Sequence, residues 1–244
     1  MINKATLKFI HGLRDKKERD ASNTFVAEGP KVVSEILAEN KLHCRQVFAT
    51  PEWIQENEQL LRHAGEVIEA LDWELEKMSS LKSARNVLAH FEKKEVKVPA
   101  TIRDGITLVL DGVQDPGNLG TLIRTADWFG IENIICSHEC ADVYNPKVVQ
   151  STMASIARIN IVYTDLPKWL QTQKLPIYAA MMEGRPLNDM NDKHCILVLG
   201  NEGIGISEEV LKYAAENVTI SGKGKAESLN VAVAGGILMH HFSI

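Results

Sequence analysis

From residue 106 onward the apolar positions fall into short runs separated by longer amphipathic stretches. "ITLVLDG", "IENIICS", "INIVYT", "PIYAAMM", "CILVLGN" and "NVTIS" are β-rich runs bounded by turn residues. Between them, periodic patterns predict helices near 118 to 130, 146 to 158, 165 to 173, 207 to 216 and 228 to 242. Strand and helix alternating in this way predict a mostly parallel sheet with helices on both faces. The first ninety residues have another texture. There "FVAEGPKVVSEILAEN" predicts a turn and an amphipathic helix, "CRQVFAT" a short strand, and "LKSARNVLAHFEK" a helix or a strand remnant. Between the two parts lies "FEKKEVKVPATIRDG", a charged stretch with Pro99 and Gly105 that reads as a linker. The expected organisation is a small α/β domain over 1–92, a linker over 93–105 and an α/β domain over 106–244.

One predicted helix carries a second pattern. In "DPGNLGTLIRTADWFG", residues 115 to 130, Leu119, Leu122, Ile123, Ala126 and Phe129 form one apolar stripe. Gly120, Thr121, Arg124, Asp127 and Trp128 fall on the other side. An arginine there is ordinarily solvated or paired at i+3, here with Asp127. A tryptophan one turn further on is an unusual neighbour for a solvated face.

Composition narrows the class. With 45% hydrophobic residues over 244 positions the chain can bury a large core. The N-terminus is too charged for a secretory signal, and no apolar run approaches the ~20 residues that span a bilayer, so a soluble cytoplasmic protein without membrane association is expected. Cys44, Cys136, Cys140 and Cys195 are too scattered for a disulfide framework. "CSHEC" aligns Cys136, His138 and Cys140, but a structural zinc site takes four ligands and no second pair is near, so no metal is expected and the segment reads as a strand end entering a loop. The terminal pair His240 and His241 reads as a helix end. The formal charge of -5 argues against nonspecific coating of nucleic acid. A local basic patch is nonetheless present, in which Lys4, Lys8, Arg14, Lys16, Lys17, Arg19 and Lys31 outnumber Asp15, Glu18 and Asp20. A solvated face of mixed charge explains it equally well.

In parallel sheets ligands gather at the carboxyl ends of strands, which singles out the loops after 111, 200 and 220. Each is rich in glycine, and Asn118, Ser207 and Ser228 are ordinary helix N-cap residues. Neither a G-x-G-x-x-G turn nor a phosphate loop is present, since "GKGKAES" has the wrong spacing. Glycine-rich backbone can still meet a base edge, with Ile204, Ile220 and Leu229 as apolar walls.

Taken together, "NLGTLIRTA", "LVLGNEGIGIS" and "ISGKGKAESLNVAVA" resemble, in order and spacing, the three motifs of the SpoU (TrmH-like) RNA ribose 2′-O-methyltransferases of the SPOUT superfamily. "NPKVVQSTMASIAR" is similar to the segment between them. The front of the chain, "LRDKKERDASNTFVAEGPKVVSEIL", resembles the family's accessory substrate-binding domain, although "MSSLKSARNVLAHFE" departs from the usual proline-glycine approach to its final strand. The resemblance implies a C-terminal trefoil knot, otherwise nearly absent from proteins. It further implies S-adenosylmethionine as cofactor and a homodimer whose sites draw on both chains. By motif position it assigns Asn118, Arg124, Glu202, Ser228 and Asn230 to the polar catalytic cluster. The cofactor falls to Leu199, Gly200, Asn201, Gly203, Ile204, Ile220, Ser228 and Leu229. RNA contacts are expected from Arg14, Lys16, Lys17, Arg19 and Arg124, and the accessory domain favours ribosomal over transfer RNA. Ser221 and Gly222 stand where members often have Pro-Met, which loosens a turn whose contacts are expected through backbone. A guanidinium is a poor base, so Arg124 is expected to orient a phosphate and stabilise a forming alkoxide, with Glu202 and Asn118 fixing loop geometry and Ser228 capping the last helix. A noncatalytic RNA-binding protein and a different small-molecule enzyme on the same sheet are the alternatives.

Overall fold

The computed structural model describes residues 1–81 and 86–243. The first ninety-odd residues build α1 (Lys4–Gly12), α2 (Lys16–Ser22), β1 (Thr24–Glu28), α3 (Pro30–Glu39), β2 (Cys44–Ala49), α4 (Pro51–Glu56), β3 (Ala64–Glu69), α5 (Asp72–Met78) and β4 (Val87–Glu92). The remainder builds β5 (Ile106–Asp111), α6 (Pro116–Trp128), β6 (Asn133–Cys136), α7 (Pro146–Thr152), β7 (Asn160–Tyr163), α8 (Leu166–Leu170), β8 (Ile177–Pro186), β9 (Cys195–Gly200), α9 (Glu208–Leu211), β10 (Glu216–Thr219) and α10 (Val231–Ser243).

Two compact units result. The first holds residues 1–95 together with 142–158, so α7 packs on β1 rather than within the second unit. Its sheet has the order β1-β4-β2-β3, antiparallel except for the β2–β3 pair. On one face Ile10 of α1, Leu13 just after it, and Leu75 and Met78 of α5 bury against Val26, Phe48 and Leu88. Here the prediction needs correcting. "FVAEG" contributes β1, a strand buried along its whole length, and not only a turn, because a strand covered on both faces shows no alternation. The stretch left open between helix and strand supplies β4, a central strand paired with β1 and β2, while its residues 82–85 lie outside the described ones.

The second unit holds 96–141 and 159–244 around a six-stranded, all-parallel sheet of order β10-β8-β9-β5-β6-β7. Val109, Ile196 and Val198 face Leu166, Trp169 and Val210 of α8 and α9 on one side. The alternate positions face α6 and α10, where a Cβ on Gly235 would sit 2.5 Å from Leu122 Cδ2 and 2.8 Å from Leu199 Cδ1. Only glycine lets α10 approach this closely. Helix lengths also need correction. α7 ends at Thr152 because Met153 and Ala154 are both left-handed, with φ of 47° and 72°. α9 is a single turn, and α10 begins at Val231.

Candidate functional site

Strands β5 and β9 are hydrogen-bonded neighbours with Asp111 opposite Gly200, so the loops that follow them leave the sheet side by side. The exit of β5 is tightly held. Gly112 N–H donates to Ser137 Oγ at 3.0 Å, Val113 N–H to Cys140 Sγ at 3.3 Å, and Val113 C=O accepts from Ala141 N–H at 2.9 Å. Cys140 in turn donates to Leu110 C=O at 3.2 Å. "CSHEC" thus follows a strand end and braces the first loop. Among the described residues no group of three or more His, Cys, Asp or Glu is placed to hold a metal ion.

The first loop enters α6 through Asp115, whose carboxylate accepts from Asn118 N–H at 2.8 Å. Asp115 is therefore the N-cap, a role expected of Asn118, and the signal was the Asp-Pro pair with proline at the first helical position. Asn118 is left with a free side chain, and this joins the three loops. Its Nδ2 donates to Glu202 Oε1 at 2.5 Å, and its Oδ1 accepts from Asn230 Nδ2 at 3.0 Å. Asn230 Oδ1 also accepts from Ala232 and Val233 N–H at 3.0 and 3.3 Å, so Asn230 caps α10. The cap expected of Ser228 is corrected accordingly: the helix starts later, and Ser228 lies in the exposed loop before it.

The second loop turns back on itself, with Asn201 and Gly205 exchanging backbone hydrogen bonds of 2.9 and 3.0 Å. The approach is close enough that a Cβ on Gly200 would lie 2.4 Å from Gly205 C. Leu199 is buried in the sheet, Gly200 and Ile220 are half-buried, and Gly203 is exposed. Asn201 folds its side chain back onto Gly112 C=O at 2.7 Å. Ile204 is 87% exposed and Leu229 48%, apolar side chains flanking the Glu202–Asn118–Asn230 chain.

Arg124 is not part of that chain. It is exposed on α6 and makes no hydrogen bond or ion pair among the described residues, with Asp127 or any other group. Trp128 beside it is 83% exposed. The apolar stripe is buried as patterned, with Leu119, Leu122, Ile123 and Ala126 fully so, Phe129 partly covered beside His240, and Gly120 also buried instead of outward.

Arg14, Lys16 and Lys17 are exposed in the first unit. Arg19 is a correction. It is 2% exposed, and its guanidinium donates to Leu13 and Arg14 C=O at 2.9 and 2.6 Å and to Asp142 Oδ2 at 2.5 Å. Three internal acceptors leave that side chain structural, and the linear pattern could not reveal Asp142 as its partner.

This geometry matches known proteins over its whole extent. The model for the SpoU rRNA Methylase family matches residues 105–240, and that for the MRM3-like substrate binding domain matches residues 4–89. The chain belongs to the SpoU rRNA methylase family. A relative from Bacillus subtilis, named 23S rRNA (guanosine(2553)-2′-O)-methyltransferase RlmP, is 32% identical over 94% of this chain and 92% of its own. The AdoMet-bound rRNA methyltransferase of Sinorhizobium meliloti superposes with a TM-score of 0.87 at 28% identity, covering 99% of this chain and 95% of that one. A TrmH-family structure from Porphyromonas gingivalis gives 0.85 at 35% identity, covering 99% and 98%. Both units of this SpoU member therefore have full-length counterparts. No helix among the described residues is long and apolar enough to cross a membrane.

Proposed function

We propose that the protein transfers the methyl group of S-adenosylmethionine to a ribose 2′-hydroxyl of ribosomal RNA. The observation that carries this reading is the hydrogen-bonded chain Glu202–Asn118–Asn230, which ties together three loops inside the SpoU-matched segment. The loops fit the cofactor. Ile204 and Leu229 present apolar walls, and residues 221–230 are exposed, leaving backbone groups for a polar ligand even with Ser221 and Gly222 in place of Pro-Met. Leu199, Gly200, Gly203, Ile204, Ile220 and Leu229 would line its site, with Ser228 beside them. Bound there, the cofactor supplies an electrophilic methyl group on a sulfonium.

The chain's own residues must align a weak nucleophile and manage its proton. Arg124, exposed and without a partner among the described residues, is available to grip a phosphate next to the reacting ribose and to stabilise the alkoxide as it forms. Asn118 and Glu202 keep the loops in register, and Ser228 is available to the nucleotide because Asn230 does the capping. Arg14, Lys16 and Lys17 offer the first unit's contacts to RNA backbone. Trp128 on α6 with Val233 and Ile237 on α10, two helices that pack on each other, leaves an apolar face for a second copy, in keeping with a homodimer. We further infer the trefoil knot of the family around the C-terminal segment, and action in the cytoplasm where ribosomal RNA is assembled.

Two measurements test the reading. Calorimetry should detect S-adenosylmethionine binding at micromolar concentrations, and mapping 2′-O-methyl groups in total RNA should show one site that disappears when the protein is absent. RNA binding with no cofactor binding and no lost methyl group would mark a noncatalytic RNA-binding protein instead.

A further inference from the structure

The second loop is held at both ends by the strand that launches the first. At its start every heteroatom of Asn201 is engaged inside the chain. Its backbone pairs with Gly205. Its Oδ1 accepts from Gly203 N–H at 2.8 Å and Ile204 N–H at 3.1 Å, and its Nδ2 donates to Gly112 C=O at 2.7 Å. An asparagine oxygen has two lone pairs, and both are used. At the loop's end Asp111 Oδ2 accepts from Ser207 N–H at 2.8 Å, the residue that opens α9 and whose own side chain makes no capping bond. Asp111 and Gly112 are consecutive, so one point at the end of β5 fixes both ends of the loop.

This arrangement dictates what the loop shows outward. With the Gly203 and Ile204 amides turned in toward Asn201, the Ile204 side chain is left exposed and Glu202 reaches Asn118. We propose that Asn201 and Asp111 are positioning residues, a two-point latch that holds the second loop in the shape that receives S-adenosylmethionine. Asn201 is then no cofactor ligand, although motif position had placed it among them. A loop ordered before the ligand arrives avoids the ordering cost on binding, so the latch sets cofactor affinity more than turnover. The proposal rests on the methyltransferase reading for its ligand and not for its geometry.

The test uses the full chain carrying Asn201→Ala, Asn201→Asp, Asp111→Ala or Asp111→Asn. Amide hydrogen exchange in cofactor-free protein reads the latch directly, calorimetry reads affinity for S-adenosylmethionine, and kcat is taken at saturating cofactor. Losing either anchor should speed exchange at its own amides, Gly203 and Ile204 for Asn201→Ala and Ser207 for Asp111→Ala. Each should weaken cofactor binding by about tenfold, the equivalent of one buried hydrogen bond, with kcat changed less than about threefold. Asp111→Asn keeps an acceptor for Ser207 N–H and should regain most of the loss. Asn201→Asp keeps an acceptor for the Gly203 and Ile204 amides yet sets a carboxylate against Gly112 C=O, which loosens that end of the loop; exchange at the two amides should rise, though less than in Asn201→Ala, and binding should still weaken, so it serves by the same criterion if the alanine variant fails to fold. Unchanged affinity in Asp111→Ala overturns the latch. So does an affinity loss in Asn201→Ala with exchange unaltered, which would make Asn201 a direct ligand. If the wild-type chain binds no S-adenosylmethionine, the methyltransferase reading fails while the exchange pattern still decides the latch.

Discussion

At the end of β5 the backbone and side-chain groups of Asp111, Gly112 and Val113 are met by Ser207, Ser137, Asn201, Cys140 and Ala141. Further along, the outward face of α6 carries Arg124, which has no hydrogen-bond or ion-pair partner among the described residues, and Trp128, almost fully solvated. The two regions are the start of the first loop and the helix it leads into, yet one is complete within the described chain and the other is not. Groups that shape a site before anything binds must be satisfied internally, since a buried polar group left unpaired costs ~1–3 kcal/mol. Groups that act on the substrate must stay available. On the proposed function partnering would sort the candidate site residues by role, and the sorting can be broken by experiment.

The largest effect is expected at the incomplete region. Arg124→Ala should lower kcat by about 10² to 10³, the usual cost of one preorganised donor aimed at developing charge. Cofactor affinity should change little, because Arg124 touches none of the loop network. Arg124→Lys should lower the rate and keep the same controlling ionisation in the pH-rate profile; loss of that ionisation would make Arg124 the proton acceptor. A full loss of cofactor binding in Arg124→Ala would collapse the distinction between the two regions.

The same contrast divides the N-terminal basic residues. Arg19→Ala should destabilise the first unit by ~3 kcal/mol in denaturant unfolding, because it strands the Asp142 carboxylate and two carbonyls. Lys16→Gln with Lys17→Gln should leave stability unchanged and weaken RNA binding, reducing its salt dependence by about one ion per lysine. Equal effects on RNA binding at constant stability would return Arg19 to the surface.

His90 is the exception that sharpens the rule. It is 2% exposed on β4, edge-on to Phe9 at 5.5 Å, and neither ring nitrogen has a hydrogen-bond partner among the described residues. Burial, reinforced by the Arg45 charge and opposed by Glu92, lowers its pKa from 6.5 to about 4. Between those values the unfolded chain binds a proton that the folded chain refuses, so stability falls as the pH drops from 6.5 toward 4. The loss should approach 2 to 3 kcal/mol, and His90→Leu should remove that part of the acid sensitivity in urea titrations at pH 7 and pH 4.5. An unchanged pH slope in His90→Leu would assign the sensitivity to other groups.

Much of this architecture was legible in the chain. Alternating strands and helices after residue 106 yield the parallel sheet, and the stripe on α6 reads off its period. What escaped was whatever depends on distant partners. β1 is buried on both faces and so shows no alternation. The attachment of residues 142–158 to the first unit follows from packing on β1, not from any local pattern. Motif position points to Asn118 and Glu202, but the bond between residues 84 positions apart, and the engagement of every polar atom of Asn201, arise only when the loops fold against each other.

The smallest effect concerns two residues of the third loop that motif position treats alike. Ser228 precedes a helix and looks like a cap, whereas Asn230 performs that task for Ala232 and Val233 and also bonds Asn118. Asn230→Ala should therefore cost ~1 kcal/mol of stability as a lost cap, and in addition loosen the tie to the first loop. Ser228→Ala should leave stability within ~0.5 kcal/mol of wild type in thermal unfolding, as at an exposed site without hydrogen-bond partners among the described residues. If its methyl transfer nevertheless falls, Ser228 acts on the nucleotide and belongs with Arg124 among the groups kept free for substrate. If stability falls instead, the loop holds Ser228 in a capping arrangement, and the division between structural and substrate-facing groups must be redrawn one residue pair earlier.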